Sequence, residues 1–475
     1  MRKIKILSTL ILFFGITQAQ TDCNCKENLI ILNNALKDNY AGYQYKTSGV
    51  NGIRLNTLFQ QLLEKAEAKQ YQNYNCARLL EAYITAFEDK HTRINYLGLR
   101  HFTKKLSDEA KDTLFDAISD KISINIDSLL QSKKDSTNFL EGMYTNKEDT
   151  CVVLKRENLL HDYVGILINS NKKYWKKGEV MFELKQNKKK QYDYFFYDKL
   201  HSLESRRDIR VSHLNIDNWV RISHETNNPR KFENLISHDQ RDCDSTLYLA
   251  LPTFTSSYKS TITDFLHMNK QRLQNTPNLI LDLRGNVGGS DDTFAELIPY
   301  LYTNPIVRKG VKVYCSQNTI EKYQEQLIEG DNPFLKNLTK RMKANVGRFI
   351  PLHETSKLSI KLDTVFLYPK HIYIIVDRYC ASSAEEFILI AKQSAKAKIL
   401  GENTAGCLDF SNVMSYIPSK DTGATWWNLD YASTISQRLP ETSLDEKGIA
   451  PDVYLRNDAN WIDQICQLIT DSYNK

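Results

Sequence analysis

Apolar residues recur at helical spacing over Asn28–Leu36, Leu55–Lys69 and Cys76–Phe87, and the pattern continues from Leu106 to Gln131. These stretches predict a small helical bundle. Near Gly142 the period changes. Short β-type runs at Cys151–Leu154, Tyr163–Ile168, Gly178–Leu184 and Tyr192–Tyr197 are separated by Lys-rich polar turns such as Asn171–Lys173 and Asn187–Lys190. Closely spaced strands of this kind predict a small barrel or sandwich. From about Cys243 strands alternate with helices: Leu247–Leu251, Leu279–Leu283, Ile372–Val376 and Ala397–Leu400 as strands, with Ser260–Gln274, Asp292–Leu301 and Ser383–Ser394 as helices. That order predicts an α/β domain whose active surface lies where strands end and helices begin. The expected division is 1–19 as a leader, 20–140 helical, 141–242 β-rich and 243–475 α/β.

Composition narrows the class without naming a chemistry. The chain has 475 residues, 41% hydrophobic and 25% charged, which is ordinary globular usage. A net charge of +6 over that length is too dilute for a dedicated nucleic-acid binder. Arg2, Lys3 and Lys5 precede the apolar run Ile6–Ile16, and Thr17-Gln18-Ala19 supplies small residues at a peptidase site. The run is too short to span a bilayer as a helix, so a cleaved signal peptide, a secreted or periplasmic location and no stable membrane anchor are expected. Nine cysteines suit an oxidising compartment, and an odd count leaves at least one thiol free. Spacing does not fix the pairing; Cys76 is expected to bond Cys23 or Cys25. No metal-ligand spacing is present, and no cofactor or metal is expected.

Three segments carry candidate chemistry. Leu281-Asp282-Leu283-Arg284-Gly285-Asn286-Val287-Gly288-Gly289-Ser290 runs from an apolar strand into a glycine turn. Such a turn can aim backbone N–H groups at an anion, or serve only as a tight connection. It lacks the Lys-Ser/Thr of a P-loop. Val376-Asp377-Arg378-Tyr379-Cys380-Ala381-Ser382-Ser383-Ala384-Glu385 again runs from strand to helix. Ser382 would stand at the helix N-terminus, where the dipole and free N–H groups favour developing negative charge. The same residues also fit a capping box, with Glu385 three positions after the serine. Asp89-Lys90-His91-Thr92 offers an imidazole, the side chain whose ordinary pKa suits a general base at neutral pH.

In this order the three segments, with Leu400-Gly401-Glu402-Asn403-Thr404-Ala405-Gly406 and Gly448-Ile449-Ala450-Pro451-Asp452-Val453, resemble the C-terminal processing (tail-specific) serine peptidases, and among them the tricorn-like branch as found in exported Bacteroidota members. The resemblance covers the His91 segment and nearly all of Leu247–Leu455. It implies a ClpP/crotonase-like α/β core, with an N-terminal helical segment and a small β-rich middle domain, in which Ser382 attacks a peptide carbonyl. Members with a serine–lysine dyad carry the lysine where Cys407 stands here, and Lys392, Lys396 and Lys398 sit at other offsets. The resemblance therefore implies His91 as base and Asp445 as the orienting acid, with Glu446 and Glu441 as neighbouring alternatives. Gly288 or Gly289, together with Ser383, would supply the oxyanion hole.

The expected reaction is hydrolysis of a protein or peptide substrate by a serine endopeptidase. Cys380 and Cys407 are expected to pack rather than react. The alternative is an inactive periplasmic protein that grips peptides or other ligands on the same fold, and no carboxylate-capturing loop of a PDZ domain is recognisable.

Overall fold

A computed structural model describes residues 24–71, 75–96, 103, 106–122, 140–212, 215–222, 246–328, 330–354, 357–418, 426–445, 447–456 and 458–473. The expected leader and Cys23 lie outside the described residues. The chain forms two compact units, one of residues up to 38, 43–229 and 415–431, the other of residues 39–42, 230–414 and 432–475.

The first unit opens with helices α1 (Cys25–Asn39), α2 (Gly49–Ala66), α3 (Cys76–Thr85) and α4 (Asp108–Ile118). A disulfide from Cys25 to Cys76 ties α1 to α3, one of the two expected pairings. Helix α4 ends at Ile118, and positions 123–131 of the expected helical stretch lie outside the described residues. Ser119 turns to an extended conformation and its hydroxyl donates to the Phe115 carbonyl at 2.6 Å, so a polar side chain satisfies the last turn. Strand β1 (Arg93–Tyr96) follows the candidate histidine and pairs antiparallel with Trp427–Asp430.

The middle sheet holds β2 (Gly142–Thr145), β3 (Asp149–Lys155), β4 (Tyr163–Ser170), β5 (Val180–Gln186), β6 (Tyr192–Tyr197), β7 (Leu203–Ile209), β8 (Asn215–Ile216) and β9 (Trp219–Arg221). These eight strands are antiparallel in the order β7-β6-β5-β4-β3-β2-β9-β8. Alternate residues feed two cores: Cys151 and Val153 join Phe182, Tyr194 and Trp219, while Val152 and Leu154 join Val164 and Ile166. A sheet filled on both faces curls in a barrel-like way instead of presenting one face to water.

In the second unit β10 (Thr246–Ala250), β11 (Asn278–Asp282), β12 (His371–Val376), β13 (Ala397–Gly401) and β14 (Val453–Tyr454) form a wholly parallel sheet in that order. Period-two alternation splits its apolar residues between two layers. Ile372, Ile374 and Val376 pack with Phe265 of helix α5 (Lys259–Met268) and with Phe387 and Ile388 of α6 (Ser383–Ala391). Tyr373 and Ile375 pack with Ile465 and Ile469 of α7 (Trp461–Tyr473). The helix expected over Asp292–Leu301 is instead two 3₁₀ turns and a four-residue helix, Ile298–Leu301. Pro299 has no N–H to return to the Ala295 carbonyl, so a continuous helix fails there.

Candidate active site

The parallel sheet brings two of the expected segments together. Asp282 on β11 pairs with Ile375 on β12, so the turns leaving these strands emerge side by side. Asp377 joins them: its carboxylate accepts the Gly285 N–H at 3.1 Å and the Tyr379 N–H at 3.0 Å. The Ala381 N–H donates to the Asn286 carbonyl at 3.0 Å. Burial pushes the Asp377 carboxyl above the usual range, opposed by those N–H groups.

Ser382 sits at φ 55°, ψ −122°, immediately before helix α6. This is the first central position of a type II′ turn, where glycine dominates because a Cβ is crowded there. A serine held so stores backbone strain at the junction of a strand and a helix, as in nucleophile elbows. The turn is tight enough to dictate its neighbour. A Cβ on Gly288 would lie 2.6 Å from the Ala381 carbonyl oxygen and 2.9 Å from the Ser382 Cβ, so only glycine fits against the serine.

The capping relation expected of Glu385 exists and extends further. Its buried carboxylate accepts the Ser382 N–H at 3.2 Å, the Thr404 hydroxyl at 2.5 Å, the Gly406 N–H at 2.8 Å and the Cys407 N–H at 2.7 Å. One carboxylate therefore fastens the serine turn to the Gly401–Cys407 loop. Burial raises its pKa, and these four donors pull the other way.

The two candidate glycines differ. The Gly288 N–H already donates to Asn286 Oδ1 at 2.9 Å, and the Asn286 amide donates onward to the Leu251 carbonyl at 2.8 Å. Gly289 is exposed, and its carbonyl accepts the Ser383 hydroxyl at 2.9 Å. The Phe254 bridge beside it uses the Gly288 carbonyl and the Ser290 N–H. Strand geometry thus turns the Gly289 N–H and C=O to the opposite side. Ser383, the first residue of α6, has a backbone N–H that its helix leaves unused.

Asp445 is buried in the same unit, with Oδ1 accepting the Leu408 and Asp409 N–H groups at 2.8 Å each. Asp409 reciprocates, its Oδ2 accepting the Leu444 and Asp445 N–H groups at 2.8 and 3.0 Å. Glu441 is exposed, and Glu446 lies outside the described residues. Cys380 and Cys407 are buried; the Cys380 thiol donates to the Leu283 carbonyl at 2.9 Å, and burial pushes its pKa well up. Lys392 pairs with Asp452 at 2.5 Å.

His91 belongs to the other unit. Its backbone N–H donates to Asp89 Oδ1 at 2.9 Å, and the Thr92 hydroxyl donates to Asp89 Oδ2 at 2.8 Å. Asp89 is thus the internal brace of a tight turn that leaves the imidazole half-buried. Sequence reasoning missed Glu385 as a four-donor hub, Asn286 as the clamp on Gly288, and the Asp409–Asp445 pairing. The Asn inside the glycine turn was the one visible signal.

No curated protein matches the chain. Among solved structures, mature CPAF aligns over 95% of this chain and 98% of its own at 13% identity and a TM-score of 0.52. CPAF complexed with lactacystin gives 14% identity over 95% and 99%, also at 0.52. The photosystem II D1 C-terminal processing protease gives 13% identity over 94% and 96%, at 0.37. The CPAF likeness concerns the fold: a mixed α/β peptidase fold with N-terminal helices and a barrel-like antiparallel middle sheet. Residues 245–455 match the sequence model of Peptidase family S41, a segment that contains Ser382, Gly288, Gly289 and Asp445 but not His91. That segment of the chain is similar to Peptidase family S41.

Proposed function

We propose that the protein is an exported serine endopeptidase of the tricorn-like branch, with a ClpP/crotonase-like core, in which Ser382 is the nucleophile, His91 the base and Asp445 the orienting acid. The observation that carries this reading is the strained Ser382 at a helix N-terminus, backed by a glycine that no other residue could replace. The likeness of residues 245–455 to Peptidase family S41 supports protein or peptide substrates. His91 accepts the hydroxyl proton as the Ser382 oxygen adds to the scissile carbonyl, then returns it to the leaving amine; water repeats the sequence on the acyl-enzyme. The Ser383 and Gly289 N–H groups bind the oxyanion, each worth about 3 kcal/mol. Gly288 contributes by shape, since its N–H is already taken. Residues 1–19 act as a cleaved signal peptide that directs the chain to the periplasm or outside the cell.

A fluorophosphonate probe tests the reading. The wild type is expected to be labelled at Ser382, and Ser382→Ala and His91→Ala are both expected to lose labelling and casein cleavage. Persistent labelling of Ser382→Ala rejects the nucleophile, and full activity in His91→Ala rejects the base. Substituting Asp445 and Glu446 separately by their amides identifies the acid by the larger loss of activity.

A further inference from the structure

We propose that Arg207 is the positioning residue of the histidine turn, and that a bulge in β7 is what aims it; this rests on the reading of His91 as the base. Strands β6 and β7 pair Tyr194 with Arg206 and Tyr192 with Ile209, so Arg207 and Asp208 together oppose the single residue Asp193. That two-against-one count is a β-bulge, and Asp208 takes the left-handed φ of 57° within it. In a regular strand successive side chains point to opposite faces. Here both reach the same short stretch. The Arg207 guanidinium donates through Nη1 to the Asp89 carbonyl, and through Nη2 to the Thr92 carbonyl at 2.9 Å. The Asp208 carboxylate meets Lys90 Nζ at 2.7 Å. The two carbonyls held by Arg207 bracket His91, while Asp89 holds the His91 N–H from inside the turn.

The bulge is itself fastened. Asp193 Oδ1 accepts the Asp208 N–H and the Asn187 amide, each at 3.2 Å, and Asn187 also donates to Asp208 Oδ1 at 2.8 Å. Arg207 faces the buried carboxylates Glu81 and Asp193, and its charge lowers the pKa of each against the upward push of burial. A planar guanidinium is suited to this task, because one fork spans two carbonyls three residues apart in fixed geometry. The middle β-domain then has a function in catalysis. It sets the backbone from which the imidazole projects, without touching substrate.

The maximal fluorophosphonate labelling rate, its half-saturating probe concentration and its pH profile test this in the full-length protein. Arg207→Met is expected to lower the maximal rate about tenfold to a hundredfold, the scale of an ångström's misplacement, with half-saturation unchanged and a displaced acid limb. Arg207→Lys, able to reach one carbonyl, is expected to recover part of the rate. Arg206→Met, one residue away on the exposed Asp217 pair, is expected to match the wild type. A folded Arg207→Met labelled at the wild-type rate overturns the inference. If that variant fails to melt cooperatively, Arg207→Lys decides: a wild-type rate overturns the inference and a slowed one supports it. Wild-type labelling of His91→Ala sinks the base assignment itself, whereas loss in His91→Ala with none in the Arg207 variants sinks only the positioning.

Discussion

The serine turn and the histidine turn are braced by different physics. Around Ser382 the restraints are backbone N–H groups converging on buried carboxylates, Glu385 and Asp377, over a parallel sheet buried on both faces. Around His91 they are a guanidinium on carbonyls and a half-buried Lys90–Asp208 ion pair, delivered by a bulged strand. The first arrangement is shielded from solvent and holds one conformation by sterics. The second is partly solvated, depends on charge, and is therefore open to salt and pH. On the proposed roles, a nucleophile needs fixed strain and a base an adjustable proton affinity, and the two kinds of restraint match that division.

The sharpest way to break this contrast is Gly288→Ala. The new Cβ must enter a site 2.6 Å from the Ala381 oxygen at φ 95°, so kcat/KM is expected to fall by about 10²–10³, the loss that follows a displaced oxyanion donor. Near-normal turnover in a casein assay means the serine turn yields and is not rigid. On the histidine side, Cys25→Ser opens a link across a separation of 51 residues, with an expected cost of about 4 kcal/mol by the chain-entropy account. Urea unfolding of the first unit's tryptophan signal measures it.

Glu385→Ala leaves four donors facing a buried void and is expected to cost about 3 kcal/mol, with Glu385→Gln milder because one acceptor oxygen remains. Denaturant midpoints of the second unit check both. For pH the relevant group is Asp193, whose carboxyl is raised to about 6, by burial first and then by the Asp208 charge. Its folded pKa lies above the unfolded one, so its stabilising contribution is complete below the unfolded carboxylate range and is lost as pH rises through about 6. Asp193→Asn is expected to flatten the fall in melting temperature across that window, and an unchanged slope removes Asp193 as the cause.

The smallest effect concerns salt. At about 1 M salt the exposed part of the histidine clamp is expected to weaken by less than about 1 kcal/mol. Hydrogen exchange then quickens at the Thr92 amide, which donates to the Asp89 carbonyl, and not at the Gly406 and Cys407 amides held by Glu385. Equal salt response at both places erases the contrast.

Much of the fold was legible because it rests on local periodicity. The near-continuous apolar runs Leu279–Leu283 and Ile372–Val376 mark strands buried on two faces, and the strand-to-helix passage at Ser382 could be read directly. Where the reading failed, a single side chain overrode the pattern: Pro299 broke an apolar helix. The site was only partly legible. Ser382–Glu385 is a local spacing, but the donors from Thr404, Gly406 and Cys407 come from far along the chain. No spacing rule announces that Arg207 would hold carbonyls more than a hundred residues earlier.

By itself the sequence determined the element types, the order of helical, β-rich and α/β regions, and a serine at a helix start, because side-chain pattern and turn chemistry act between near neighbours. Tertiary structure alone decided that Ser382 is strained, that Gly288 yields its N–H to Asn286 while fitting the serine by shape, and that a bulge turns Arg207 and Asp208 onto one stretch of chain. Those outcomes depend on which distant groups are satisfied by which partners, and burial settles that only when the whole chain has packed.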